Sequence, residues 1–235
     1  LGYRHIDTAS VYGNEKGTGA AINASGIARE ELFVTTKLAR TEMGRDNTFR
    51  EFDASLERLG LDYVDLYLIH WPVPSQDLYV ETWQALLEIR ASGRARSVGV
   101  SNFQIPHLER LLAETGELPV INQIELHPFL PQAELRAFHK EHGIVTQAWS
   151  PLAKGGEHLN DRVLVEIAEK HGRTPAQVLL RWHIQLGNVV IPKSVSPSRM
   201  ALNLAIFDFE LTTEDFSLLA TLNSGLRTGP NPDDH

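Results

Sequence analysis

The amino-acid sequence predicts an α/β fold of repeated βα units, a (β/α)8 TIM barrel, and three observations carry the prediction. Short β-rich runs recur at roughly 25–45-residue spacing, with helical patterns between them. Runs such as Asp65-Leu66-Tyr67-Leu68-Ile69 are almost continuously apolar, as parallel strands covered by helices are. Nearly every run ends in a polar or reactive side chain: Asp7, Lys37, His70, Ser101-Asn102, Gln123, Ser150 and Lys193-Ser194. A barrel gathers such ends at one mouth, whereas an open doubly wound sheet would use only its switch point.

The expected strands are 4–9, 32–38, 64–71, 96–101, 120–126, 145–151 and 189–193. Between them, 15–25 is rich in Ala and ends at Gly26, and 48–59 carries Phe52, Leu56 and Leu59 at helical spacing before Gly60. Helix 78–91 holds Trp83, Leu86, Leu87 and Arg90 in register and closes at Ser92-Gly93. Helices 105–114 and 132–142 each end near a glycine, as C-caps prefer. Helices 161–170 and 174–186 follow, the second opening with a cap residue and a first-turn proline, Thr174-Pro175. No linker or compositional break interrupts residues 1–235, which are expected to form a single domain. Seven units are counted where a closed barrel uses eight. The chain opens Leu1-Gly2-Tyr3-Arg4 and enters a strand pattern at once. The first βα unit is therefore expected to be missing, with about 35–45 further residues before Leu1.

Composition narrows the function. With 235 residues, 42% hydrophobic and 22% charged, the chain can bury a core and does not read as disordered. A formal net charge of −8 gives nucleic-acid binding little support. The absence of cysteine excludes a disulfide scaffold, thiolate metal sites and a cysteine nucleophile. No apolar run approaches the ~20 residues of a membrane span, so a cytoplasmic protein is expected.

Asp7, Tyr12, Lys37 and His70 suggest proton chemistry at a carbonyl. A phenol is a poor acid near neutral pH, but an adjacent ammonium is expected to lower its pKa. An aspartate would hold that lysine, and a neutral histidine would donate to the carbonyl oxygen. Hydride is the reagent no side chain supplies, which implies a nicotinamide cofactor. No G-x-G-x-x-G follows a strand: Gly17-Thr18-Gly19 lies in a helical segment and Gly155-Gly156 in a loop. Phosphates are instead expected at Lys193-Ser194 and Arg199, where a strand runs into a helix start. His139 and His142 lie three apart on a helix, while His127, His158, His171 and His183 are isolated. All six are read as solvated or capping residues, with no metal site.

These residues resemble the aldo-keto reductase family, most closely its short bacterial members of the 2,5-diketo-D-gluconate reductase type. Gly2-Tyr3-Arg4-His5-Ile6-Asp7-Thr8-Ala9 and the continuation Val11-Tyr12-Gly13-Asn14-Glu15 carry one signature. The run from Leu56 to Pro72 carries a second, and Ile191-Pro192-Lys193-Ser194 with Arg199 and Asn203 a third. Gly99-Val100-Ser101-Asn102-Phe103, Asn122-Gln123-Ile124-Glu125 and Ala148-Trp149-Ser150-Pro151-Leu152 lie between.

The resemblance implies NADPH-dependent carbonyl reduction by a monomer. Tyr12 would be the general acid, Lys37 and Asp7 its tuning pair and His70 the orienting group, with Trp71 also at the substrate. Ser101, Asn102 and Gln123 would bind the carboxamide, and Trp149 would stack on the nicotinamide. Ser150 and Leu152 would line the pyrophosphate. Lys193, Ser194 and Arg199 would hold the 2′-phosphate, with Asn203 a further cofactor contact. Ala39-Arg40 stands where many members carry Trp-Asn, and Leu202 where many carry an acidic residue at the adenine. Two other readings are a cofactor-binding barrel that acts as a redox-responsive partner and a hydrolase. The hydrolase would need paired carboxylates at strand ends, where only Asp7 is so placed.

Overall fold

The computed structural model describes residues 1–234 and contains the seven strands expected. They are β1 (His5–Asp7), β2 (Phe33–Leu38), β3 (Val64–Ile69), β4 (Ala95–Ser101), β5 (Ile121–Glu125), β6 (Val145–Trp149) and β7 (Val189–Val190). Their order in the sheet is their order in the sequence, and the pairs β1–β2, β2–β3, β3–β4 and β6–β7 are parallel. The chain packs as two compact units, with the passage from one to the other inside β5.

The first unit comprises Gly2–Asn122 and the short pieces 142–144 and 232–234. It holds β1–β4 with α1 (Glu15–Ala24), α2 (Arg45–Leu59), α3 (Tyr79–Ala91) and α4 (Ile105–Thr115). All six residues of β3 are buried, as a nearly continuous apolar run requires of a central strand, and the one charge among them, Asp65, is paired with Arg29 and Arg96. α2 buries Thr48, Phe52, Ser55, Leu56 and Leu59 along one stripe, and Gly60 ends it in the left-handed conformation at φ 63°. Phe52 packs on Tyr67 of β3 at 4.7 Å between ring centroids. α1 meets α2 so closely at Gly19 that a Cβ there would fall 1.9 Å from the Leu59 carbonyl oxygen. Gly19 thus serves helix packing inside α1, and the Gly17-Thr18-Gly19 segment is not a phosphate loop. Glu15, buried at the start of α1, accepts from Thr36 Oγ1 (2.5 Å) and Arg58 Nε (2.6 Å), tying the helix to β2 and α2.

The second unit comprises Gln123–Glu141 and Val145–Asn231. It holds the end of β5, α5 (Ala133–Glu141), β6, α6 (Arg162–His171), α7 (Pro175–Gln185), β7, α8 (Pro197–Leu204) and α9 (Thr213–Ala220). Thr174 caps α7 through a reciprocal box with Gln177. α9 was not anticipated, although Thr212 and Asp215 form the same kind of box. The last strand is shorter than expected, ending at Val190 instead of residue 193. Pro192 has no N–H to continue the ladder. Among the described residues, no helix is long and apolar enough to cross a membrane.

Candidate active site

In the first unit, Asp7 pairs in register with Thr35, and Lys37 with Leu68. Parallel neighbours in this register deliver Asp7, Lys37 and His70 to the same carboxyl-terminal edge, where polar residues of βα proteins converge. Tyr12 follows on the single 3-10 turn Ser10–Tyr12, directly after β1. Residues up to 63 positions apart in sequence, Asp7 to His70, are thereby brought into one cluster.

Lys37 is completely buried, with its Nζ bound to Asp7 Oδ1 and, at 2.9 Å, to the Thr8 carbonyl oxygen. Burial draws its ammonium pKa down, and Asp7 opposes that shift. The same Nζ lies 5.1 Å from the Tyr12 ring centroid, and the Tyr12 and His70 rings meet edge to face at 5.7 Å. Burial and then the two cations Lys37 and Arg40 depress the His70 imidazole to about 3. His70 is therefore neutral at pH 7 and has a ring N–H to donate.

The Tyr12 phenol differs from expectation. Its pKa is pushed up to about 12, by lost solvation first and by the Asp7 carboxylate second. Lys37 does not lower it, because Asp7 sits in contact with the ammonium and neutralises it at close range. Tyr12 remains a protonated donor across the neutral range.

Beside these, Trp71 is half-buried, and Ser101 and Asn102 are buried at the end of β4. Asn102 takes a left-handed backbone, φ 65°, which asparagine tolerates better than most residues. Its Nδ2 donates to the His70 carbonyl oxygen (2.9 Å) and to Ser101 Oγ (3.1 Å), so it fixes the backbone that carries His70.

The second unit assembles a different site. A cleft of about 640 Å³ is lined by Ser150, Leu152, Lys193, Ser194, Arg199, Leu202 and Asn203, among others. Sequence-predicted residues from the ends of β6 and β7 and from α8 thus share one cavity. Lys193 and Arg199 are exposed, Asn203 is buried, and Ser196 caps α8 by accepting from the Arg199 N–H. Among the described residues the lining contains three cations, Lys154, Lys193 and Arg199, and no carboxylate, a donor set suited to a phosphorylated ligand. Ser150 is another left-handed residue, φ 48°.

Trp149 and Gln123 are not among the residues lining that cleft. Trp149 is half-buried at the end of β6, while Gln123 Nε2 donates to Gln147 Oε1 at 2.8 Å.

Three histidines correct the sequence reading. His127, His139 and His183 are fully buried instead of solvated. His139 Nδ1 meets Thr146 Oγ1 at 2.8 Å, and His183 Nε2 donates to the Pro151 carbonyl oxygen at 3.2 Å. His127 Nε2 faces Glu125 Oε1 at 3.1 Å. Sequence reasoning did not anticipate that Glu125 would bind Thr228 and Gly229, more than 100 residues away. No local pattern signals a pairing at that range.

The model of the aldo/keto reductase family matches residues 1–224. An aldo-keto reductase of Mycolicibacterium smegmatis is 58% identical over 231 residues, 98% of this chain and 84% of that protein. Methylglyoxal reductase DkgA of Salmonella typhimurium is 52% identical over 234 residues, 99% and 84% of the two chains. Among solved structures, a point mutant of Gox0644 in complex with NADPH superposes with a TM-score of 0.94 at 49% identity, covering 100% of this chain and 85% of that one.

Proposed function

We infer the roles of individual residues from one premise: the chain belongs to the aldo/keto reductase family. The protein is an NADPH-dependent oxidoreductase that reduces aldehyde or ketone carbonyls to alcohols. NADPH, when bound, supplies the hydride. The cationic, carboxylate-free cleft in the second unit fits the cofactor's phosphates, and it is the observation that carries the binding proposal. Lys193, Ser194 and Arg199 would hold the 2′-phosphate, and Ser150 and Leu152 would line the pyrophosphate. Asn203 would be a further contact, Trp149 would stack on the nicotinamide, and Ser101, Asn102 and Gln123 would bind its carboxamide.

The chemistry assigned to the first unit follows from its protonation states. His70, neutral, donates a hydrogen bond that orients the substrate carbonyl and polarises it. Tyr12, protonated, gives its proton to the carbonyl oxygen as that oxygen becomes alkoxide-like, a base strong enough to take a proton from a phenol held near 12. Lys37 offsets the phenolate charge that develops, and Asp7 keeps the ammonium in place. Trp71 would wall the substrate.

Eight-strand barrel closure belongs to the same proposal, with β1–β7 supplying seven of the strands. So do action as one domain over residues 1–235, a cytoplasmic setting, a monomeric state and the absence of a nucleic-acid partner. For substrate we propose small aldehydes and ketones, the class that includes methylglyoxal, the substrate named for DkgA. The test is incubation of the protein with NADPH and methylglyoxal, or another small aldehyde, followed by product analysis. One alcohol formed per NADPH consumed is expected. No NADPH consumption with any small aldehyde or ketone would overturn the reading.

A further inference from the structure

The segment after α9 is bound at two places in the second unit. The N–H groups of Ser224 and Leu226 both donate to the Phe129 carbonyl oxygen at 3.2 Å. Farther along, Glu125 Oε1 accepts from the Thr228 N–H (2.6 Å) and Thr228 Oγ1 (2.5 Å), and Oε2 from the Gly229 N–H (3.2 Å). Lys154 Nζ donates to the Thr228 carbonyl oxygen. Glu125 is itself fixed: it is buried, His127 Nε2 faces its Oε1, and Gln132 Nε2 donates to its backbone oxygen at 2.6 Å.

Gly229 packs closely against the Trp149 indole. A Cβ at Gly229 would fall 2.4 Å from Trp149 Cη2 and 3.2 Å from Cζ3, so no side chain fits without moving the ring. The segment therefore backs the indole, and Glu125 holds the segment there.

We propose that Glu125 is a positioning residue for cofactor binding: by clamping Thr228 and Gly229 against Trp149, it fixes the indole on which the nicotinamide stacks. This rests on the stacking role assigned to Trp149 above. The clamp consists of charge-assisted bonds from two backbone N–H groups and a hydroxyl, stronger than neutral equivalents. Burial raises the Glu125 pKa, but the hydrogen bonds from His127, Thr228 and Gly229 outweigh it and hold Glu125 down to about 2, so the clamping group is a carboxylate at neutral pH. Glutamine would be an imperfect replacement. Its oxygen can serve Thr228, but its amide nitrogen would then meet the Gly229 N–H donor to donor.

A double-mutant cycle on the full-length enzyme tests the proposal, with NADPH affinity read by titration and by quenching of tryptophan fluorescence. Trp149→Ala is expected to weaken NADPH binding about tenfold, and Glu125→Ala about fivefold, with Glu125→Gln between Ala and wild type. In the Trp149→Ala background, Glu125→Ala should add less than about twofold, because its effect travels through the missing ring. Gly229→Ala, which leaves every Glu125 acceptor in place, should weaken NADPH by displacing the indole. It should also change the quenching, even if Glu125→Ala does not fold.

Losses that multiply in the double variant would overturn the proposal. So would NADPH affinity and quenching that are unchanged in Gly229→Ala. If Trp149→Ala alone left NADPH binding intact, the stacking assignment itself would be wrong, a pattern distinct from either of these.

Discussion

Lys37 and Lys193 sit at the end of a strand and just beyond one, in opposite settings. Lys37 is wholly buried, bound to Asp7 and to the Thr8 carbonyl oxygen, with its charge close to the Tyr12 ring. Lys193 is exposed in a cleft whose only other lining cations are Lys154 and Arg199. A buried, paired ammonium is part of the internal electrostatics that set protonation states, whereas an exposed one recruits an anion. In the proposed assignment the proton chemistry draws on the buried Lys37–Asp7 pair of the first unit, and cofactor capture on exposed cations of the second.

Swapping each lysine for methionine separates the two settings. Lys37→Met leaves the Asp7 carboxylate largely buried and without its cation, which should cost about 3–5 kcal/mol of stability and abolish turnover. Lys193→Met should change stability by no more than about 0.5 kcal/mol yet weaken NADPH binding. Denaturant midpoints and NADPH titrations of both variants check this. Equal destabilisation would erase the distinction.

A second way to sharpen the comparison is acid. His183 is fully buried and held at about 3 by burial, with its Nε2 proton on the Pro151 carbonyl oxygen. Its folded pKa lies below the ordinary 6.5, so the unfolded chain takes up the proton first as pH falls. The stability it contributes is complete above 6.5 and declines toward 3, by roughly 1.4 kcal/mol per pH unit. His139, held at about 4, acts in the same direction. In His183→Gln the unfolding free energy measured from pH 7 to 5 should fall less steeply than in wild type, by about one proton's worth of slope. An unchanged slope would show that His183 is already protonated in the fold.

The smallest expected effect concerns cofactor choice. Arg199→Ala should weaken NADPH by about tenfold and leave NADH nearly unchanged, since a charge-assisted bond to the extra phosphate is what it removes. Equal weakening of both cofactors would assign Arg199 to structure.

Features set by local periodicity were legible in the sequence. The seven strands, the caps at Gly60 and Thr174, and the polar ends Asp7, Lys37 and His70 all follow from spacing along one element. Less legible was anything that depends on which partner a buried group meets. His139 and His183 looked solvated because histidine is usually polar and their partners, Thr146 and Pro151, come from other elements. The direction of the Tyr12 shift was missed because it depends on Asp7 being in contact with Lys37, a detail of distance that residue types do not encode. Glu125 was read only as part of a motif, since the partners that tie it to the segment after α9, Thr228 and Gly229, lie more than 100 residues away. Arg40 was noticed as a departure, yet its charge acting on His70 became visible only in three dimensions.

The central claim is that Tyr12 is the proton donor and not a binding residue. The most direct measurement compares Tyr12→Phe with wild type in steady-state carbonyl reduction and in NADPH titration. Loss of a positioned acid predicts that kcat falls about 10²-fold or more while NADPH affinity is unchanged. Turnover that survives the loss of the hydroxyl would contradict the account and place the proton donor elsewhere.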